Sequence, residues 1–144
     1  MSLVRDVLAG KGRNVATVPL DATALDAVQV MHDRRIGAVV VMNGDEIAGI
    51  FTERDVMNRV VFEGRDAADT PIRDVMTEKV AFVVPHTSLE ACRTIMTRHK
   101  LRHLPVIEGG KLVGIISAGD ILARELKDSE ETIRYLHEYM HGGV

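Results

Sequence analysis

The sequence is poor in aromatic residues and in cysteine. Aromatic side chains make up 3% of it, tryptophan is absent, and Cys92 is its single cysteine. So few rings leave no platform for stacking the bases of a single-stranded nucleic acid, and the lysines and arginines are scattered rather than gathered in a stripe. We therefore expect no nucleic-acid partner. One cysteine cannot form an internal disulfide, which favours the reducing cytoplasm as the compartment.

Long apolar runs are also missing. The longest, Ile36–Met42, is far shorter than the ~20 residues that cross a bilayer. The first residues, Met1–Asp6, lack the charged and apolar regions of a signal peptide. We expect no membrane partner. What the chain does have is 46% hydrophobic and 27% charged residues over 144 positions, which suits one compact domain or two packed half-domains.

The sequence contains an internal repeat. Val4–Leu8 returns as Ile72–Met76, 68 positions later, and Gly49–Asp55 returns as Gly114–Asp120, 65 positions later. The first copy therefore carries three extra residues, most of them in the loop Gly10–Arg13. We predict a first repeat at 1–62, a polar linker at 63–71, a second repeat at 72–127 and a helical tail at 128–144.

Each copy is predicted to fold as β-α-β-β-α. The predicted strands are Val15–Val18, Ala38–Met42 and Ile47–Phe51 in the first copy, and Val80–Val84, Leu104–Ile107 and Leu112–Ile116 in the second. Asn43 and Gly44 predict a type I′ hairpin turn, and Thr87–Glu90 predicts a capping box. Neither half can cover both faces of its own sheet. We therefore expect an α/β (α+β) fold of two pseudo-symmetric βαββα repeats packed sheet to sheet, plus a C-terminal helix.

The pattern Gly-Ile-x-Thr/Ser-x-x-Asp stands at a strand-to-helix junction in both copies. It places Thr52 and Asp55 in the first copy and Ser117 and Asp120 in the second. A helix N-terminus attracts anions, a hydroxyl there can bond a phosphate oxygen, and an ionised aspartate can accept both hydroxyls of a ribose. The glycine of each motif would let a ligand approach the strand end closely. The same residues are equally good helix caps, worth about 1 kcal/mol each, and only the duplication favours the ligand.

These segments resemble the paired cystathionine-β-synthase-type (CBS) domains, or Bateman modules, over essentially the whole chain. The segments that carry the resemblance are Ile36–Val41, Gly49–Asp55, Arg102–Val106 and Gly114–Asp120. The chain is particularly similar to bacterial proteins built from a single pair. The resemblance implies a regulatory module without catalytic activity that binds an adenosyl ligand between its repeats and forms a homodimer. AMP or NAD(H) is the expected ligand, followed by ATP and, less favoured, S-adenosylmethionine.

The resemblance also implies roles for particular residues. The motif aspartates would hold the ribose and the motif hydroxyls the phosphate. The first strand of each repeat would line the adenine pocket, and the basic pair that precedes Leu-Pro-Val would meet phosphates. Beyond the motif residues, the candidates are Thr17, Val18, Gly37, Ala38, Arg54, Phe82, Val83, Arg102, His103, Leu104 and Pro105. Because Gly37 and Ala38 stand where the second copy has Arg102 and His103, we expect two unequal half-sites.

Two further features have competing interpretations. His137–His141 matches the zinc-protease pattern H-E-x-x-H, which needs a third ligand that the sequence does not offer downstream. A metal-dependent hydrolase therefore stays as an alternative, as does a dimerisation module that binds no ligand. Lys11 and Arg13, in a glycine-containing loop, could reach a phosphate, but a solvated loop is the expected account.

The tail is predicted to form a separate amphipathic helix. Asp128 and Glu131 have the spacing of a capping box. Its apolar face comprises Ile133, Leu136, Tyr139 and Met140. We expect this face to pack on the partner subunit.

Overall fold

The computed structural model describes residues 2–12 and 14–140. The first copy consists of α1 (Val4–Lys11), β1 (Thr17–Pro19), α2 (Ala24–Arg34), β2 (Ala38–Asn43), β3 (Glu46–Thr52) and α3 (Glu53–Asp55), which continues as a π-helix over Val56–Val61. Short 3₁₀ turns follow at Ala67–Asp69 and Ile72–Asp74. The second copy consists of α4 (Leu89–His99), β4 (His103–Glu108), β5 (Lys111–Ser117) and α5 (Ala118–Met140).

Each copy builds its own small sheet. In the first, β1 runs parallel to β2, and β2 pairs antiparallel with β3. In the second, β4 pairs antiparallel with β5. The predicted fold of two α/β repeats with two sheets and a C-terminal helix is confirmed.

The predicted strand at Val80–Val84 is wrong, since only a single parallel bridge forms there, between Val83 and Val106. In the first copy, the amide of Val40 donates to the carbonyl of Ala16 at 3.1 Å. The residue aligned with Val40 is Pro105, which has no N–H to donate. The equivalent ladder bond therefore cannot form, and the strand shrinks to one bridge.

The turn of the first hairpin also differs from the prediction. Its loop is Gly44-Asp45 rather than Asn43-Gly44, and only Gly44 has a positive φ, of 62°. A type I′ turn needs positive φ at both central positions, whereas a type II′ turn needs it only at the first. The predicted turn type is therefore wrong.

Two predicted helix caps are wrong as well. Helix α4 is capped by Ser88, whose hydroxyl accepts from the amide of Ala91 at 3.1 Å, so Thr87 does not open a capping box. Helix α5 runs without a break through Asp128, which starts no new helix. The residues before Asp128 in α5 are good helix formers without glycine or proline after Gly119, so nothing stops the helix there. The division of the chain at 62, 71 and 127 stays a prediction.

The two copies exchange their opening segments. Ile72, Val75 and Met76 are buried in the core of the first copy, among residues such as Val39 and Phe51. Conversely, Val4, Val7 and Leu8 of α1 are buried in the core of the second copy. Each core is therefore incomplete without a segment of the other copy, which ties the two halves together.

This exchange explains the glycines of the two motifs. A Cβ atom on Gly49 would lie 2.6 Å from the carbonyl oxygen of Thr77, and one on Gly114 would lie 2.6 Å from Cδ2 of Leu8. Neither distance is sterically possible without rearrangement. The glycines make room for the exchanged segments, and whether they also let a ligand approach the strand end stays a prediction.

Candidate functional site

Among the described residues, two of the clefts that both copies line contain a motif aspartate. Cleft A, of about 200 Å³, joins Thr52 and Asp55 of the first copy to Lys100, Arg102 and His103 of the second. Cleft B, of about 510 Å³, joins Ser117 and Asp120 of the second copy to Arg35, Gly37 and Ala38 of the first. Each motif therefore faces the strand entry of the opposite copy.

The carboxylate of Asp55 is fixed at the wall of cleft A. Its Oδ2 accepts the amide of Thr52 at 3.0 Å, and the amide of Asp55 donates back to the hydroxyl of Thr52 at 3.3 Å, so the capping box is formed. Its Oδ1 accepts the hydroxyl of Thr77 at 3.2 Å, and Nε of Arg59 lies 3.6 Å away. Because a carboxylate has about four acceptor sites, Oδ1 retains capacity that capping does not use.

The opposite wall of cleft A is cationic. Lys100 ends α4 in a left-handed conformation, with φ of 54°, and its carbonyl accepts Nη1 of Arg54 at 2.9 Å. This bond joins the copies across the cleft. Arg102 immediately precedes β4, which begins at His103. Both residues line cleft A.

His103 is half-buried and lines both clefts. Burial lowers the pKa of His103 below 6.5, although the nearby carboxylate of Glu53 partly offsets this and Arg102 adds to it. The lowered pKa favours the neutral imidazole at pH 7.

Glu53 explains why the two strand entries differ. A Cβ atom on Gly37 would overlap the Glu53 carboxylate, which occupies that space. The aligned pair in the second copy is Arg102 and Ala118, where the small Ala118 leaves the space open. In each copy, a large residue at one of these two positions is therefore accompanied by a small residue at the other: Glu53 with Gly37, and Arg102 with Ala118.

Cleft B contains an ion pair. The ammonium of Lys11 donates to Oδ2 of Asp120 at 2.6 Å and to the carbonyl of Ile115 at 2.9 Å. The same Oδ2 accepts the amide of Ser117 at 2.8 Å. Burial alone would raise the pKa of Asp120, but the bonds from Lys11 and Ser117 outweigh it and lower that pKa.

Lys11 is the last residue of α1, so its predicted place in a solvated loop is wrong; Arg13 lies outside the described residues.

The structure brings most of the predicted site residues together. Cleft A contains Gly37, Thr52, Arg54, Asp55, Arg102 and His103. Cleft B contains Gly37, Ala38, His103, Ser117 and Asp120.

The remaining candidates lie elsewhere. Thr17 and Val18 line a separate cavity beside the hairpin residues Gly44 and Asp45. The side chain of Phe82 is 58% exposed, and Val83, Leu104 and Pro105 are buried. A ligand contact by any of these six residues stays a prediction.

Sequence reasoning missed several residues that line the clefts. They are Glu53, Thr77 and Lys100 in cleft A, and Asn14, Arg34 and Arg35 in cleft B. One signal was available, because Arg35 and Lys100 are aligned basic residues that end equivalent helices with the same φ of 54°. The contribution of Thr77 had no local signal, since it depends on the exchange of segments.

Two structural observations bear on metal binding and on membrane insertion. Within residues 2–12 and 14–140, no three histidine, cysteine, aspartate or glutamate side chains are grouped to hold a metal ion. His137 belongs to α5, whereas His141 lies outside the described residues. In the same part of the chain, no helix is both long and apolar enough to cross a membrane.

Comparison with known proteins defines the class. The family model of the CBS domain matches residues 4–61 and 72–127. The chain therefore belongs to the CBS-domain family, as a pair of repeats. Proteins of this family are regulatory modules.

Individual relatives agree with this. The CBS domain-containing protein YhcV of Bacillus subtilis is 32% identical over 128 residues, which cover 89% of each chain. A solved structure of a protein with CBS domains from Burkholderia ambifaria is 41% identical, with a TM-score of 0.85 over 88% of this chain and 96% of that one. The CBS domain protein PAE2072 of Pyrobaculum aerophilum was solved in complex with AMP. Its TM-score is 0.74 over 83% of this chain and 89% of that one. At 24% sequence identity, this likeness shows the fold alone. These names state no enzymatic activity.

Proposed function

We propose that this protein is a regulatory module that senses an adenine nucleotide, AMP or NAD(H) first and ATP next, in the cleft between its two repeats. Binding would alter the packing of the repeats or their contact with a regulated protein. The module itself would catalyse no reaction.

One observation carries the proposal: a carboxylate and a set of cations face each other across cleft A. Asp55 offers an acceptor for ribose hydroxyls, while Arg102 and Lys100 offer permanent positive charge for phosphate. The N-terminus of α3, capped by Thr52, adds amide dipoles that favour an anion. The AMP bound to the relative from Pyrobaculum aerophilum supports this choice of ligand, because the same fold accommodates it there.

Thermal denaturation tests the proposal. A ligand that binds only the folded state at a hundredfold excess over its Kd adds about 2.7 kcal/mol to stability. We expect AMP, NADH or ATP to raise the Tm by several degrees, and inorganic phosphate or GTP to raise it less. An unchanged Tm with every adenine nucleotide would contradict a nucleotide sensor.

A second prediction concerns pH and His103. A bound phosphate favours the imidazolium, so binding takes up a proton at a histidine whose pKa burial has lowered. The preference for AMP over adenosine should therefore increase as the pH falls below about 6.5, measured as the ratio of the two Kd values.

The control is His103→Gln, because the phosphate of AMP itself titrates near pH ~6 and that trend is common to both proteins. An identical pH dependence in the parent and in His103→Gln would rule out His103 as a phosphate ligand. Arg102→Ala should instead reduce the preference by a similar factor at every pH, since the guanidinium stays charged.

The proposed module is a homodimer. Its support is a set of exposed apolar side chains at aligned positions of the two copies. Met57 and Val61 are 59% and 69% exposed after α3, and their counterparts Leu122 and Leu126 on α5 are 59% and 56% exposed. Further along α5, the side chains of Ile133, Leu136, Tyr139 and Met140 are also exposed. Apolar surface of this kind marks a contact with another protein.

A further inference from the structure

The two clefts hold their motif aspartates in different ways. In cleft A, the amide of Thr77 donates to the carbonyl of Ile50 at 2.8 Å, and its hydroxyl donates to Asp55. In cleft B, Ile115 and Asp120 are the aligned acceptors, and both are bonded by the ammonium of Lys11. One charged side chain thus replaces a backbone amide and a neutral hydroxyl.

This difference follows from the exchanged segments. After its 3₁₀ turn, which ends at Asp74, the second copy's opening segment leaves the helix and Thr77 forms an antiparallel bridge with Ile50. The first copy's segment instead remains helical as far as Lys11. In the described part of that segment the backbone does not pair with Ile115, and the long lysine side chain reaches that carbonyl.

The two arrangements respond differently to a ribose. In cleft A, an entering hydroxyl competes with the neutral hydroxyl of Thr77, whose bonds to Asp55 are 3.2 and 3.4 Å long, while the guanidinium of Arg59 pairs with Asp55 only at 3.6 Å, beyond hydrogen-bond length. In cleft B, it competes with an ammonium at 2.6 Å from Asp120. A charge-assisted bond of this length is about twice as strong as a neutral one. Cleft volume does not explain this difference, because cleft B is the larger of the two.

We propose that Lys11 closes cleft B to the ribose of a nucleotide by occupying Asp120, so that the chain binds one nucleotide, in cleft A. This inference rests on the proposed function. Cleft B becomes a second nucleotide site when Lys11 is removed or drawn away, and its cations Arg34 and Arg35 then face the phosphate.

The test is the stoichiometry of AMP binding, measured by calorimetry on the full chain. The parent should bind one AMP per chain. Lys11→Met keeps most of the side chain but removes the ammonium, and should bind two, the second with a Kd within about tenfold of the first. Adding Asp120→Ala to Lys11→Met should restore a stoichiometry of one. Lys11→Ala serves as a second variant, and the Tm of each variant verifies that it folds.

Lys79→Met is the matched control, because Lys79 is aligned with Lys11, is exposed and lines neither cleft. It should bind one AMP. Two sites in the parent, or one site in both Lys11 variants, would overturn the role of Lys11. If only the Lys11 variants bind AMP, the closure of cleft B is supported and the assignment of cleft A is refuted. If no variant binds any adenine nucleotide, the proposed function fails and this inference fails with it.

Discussion

Replacing Asp55 with alanine is expected to weaken AMP binding about 10- to 100-fold. The change removes a charged acceptor for the ribose hydroxyls, and a hydrogen bond to a charged group is worth about 1.5–3 kcal/mol. Asp55 is only 7% exposed, so its carboxylate is held in place before the ligand arrives. Calorimetric titration of the parent and of Asp55→Ala with AMP measures the effect.

The variant will also lose stability, because Asp55 caps α3 and accepts the hydroxyl of Thr77. Asp26→Ala separates the two effects. Asp26 forms the same capping box with Thr23 at the start of α2, with its Oδ2 at 2.9 Å from the Thr23 amide, and it lines neither cleft. Asp26→Ala should lose the cap and bind AMP like the parent. If Asp55→Ala also binds AMP like the parent, Asp55 is only a cap.

Short-range features were predictable from the sequence. The paired strands β2–β3 and β4–β5 follow from apolar runs interrupted by glycine-containing turns, and the helix starts at Thr52 and Ser117 follow from a hydroxyl placed three residues before an acid. Each of these signals lies within about ten residues of the element that it predicts. The repeat then places the two motifs at equivalent points of two similar folds.

Long-range features were not predictable. No local pattern indicates that Leu8 packs against Gly114, or that Thr77 bonds Asp55, because each contact joins the opening segment of one copy to the other copy. The same exchange of opening segments determines which residues line the clefts. The difference between Val40 and Pro105 was visible in the sequence. Its consequence, the loss of the strand predicted at Val80–Val84, was not, because the sequence does not show which carbonyl the missing amide would have bonded.

The tail shows a third kind of error, in which a correct local signal is outweighed. Asp128 and Glu131 have the spacing of a cap, yet the helix that begins at Ala118 continues through them. Asp128 instead accepts the hydroxyl of Ser2 at 2.6 Å and pairs with Arg124 at 3.2 Å. A capping residue is useful only where a helix must start, and here the preceding turns were already helical.

Replacing Leu126 with aspartate is expected to dissociate the proposed homodimer. Leu126 is 56% exposed in the single chain, so the substitution should leave the fold intact. In a symmetric dimer the change occurs twice, and each buried leucine contributes at least ~1.5 kcal/mol, so the dimer Kd should increase by at least about a hundredfold. Analytical ultracentrifugation across the micromolar range measures this change.

Lys127→Asp is the control for the prediction about Leu126→Asp. Lys127 is exposed and adjacent on α5 but about 100° around the helix from Leu126, and its replacement changes the charge by more than Leu126→Asp does. It should leave the dimer intact, because the loss of apolar contact rather than added charge drives dissociation. Cleft A is formed within one chain, so Leu126→Asp monomers should still bind AMP with a Kd close to that of the parent. A parent protein that sediments as a monomer, or a Leu126→Asp variant that stays dimeric, would show that this face of α5 is not the contact between subunits.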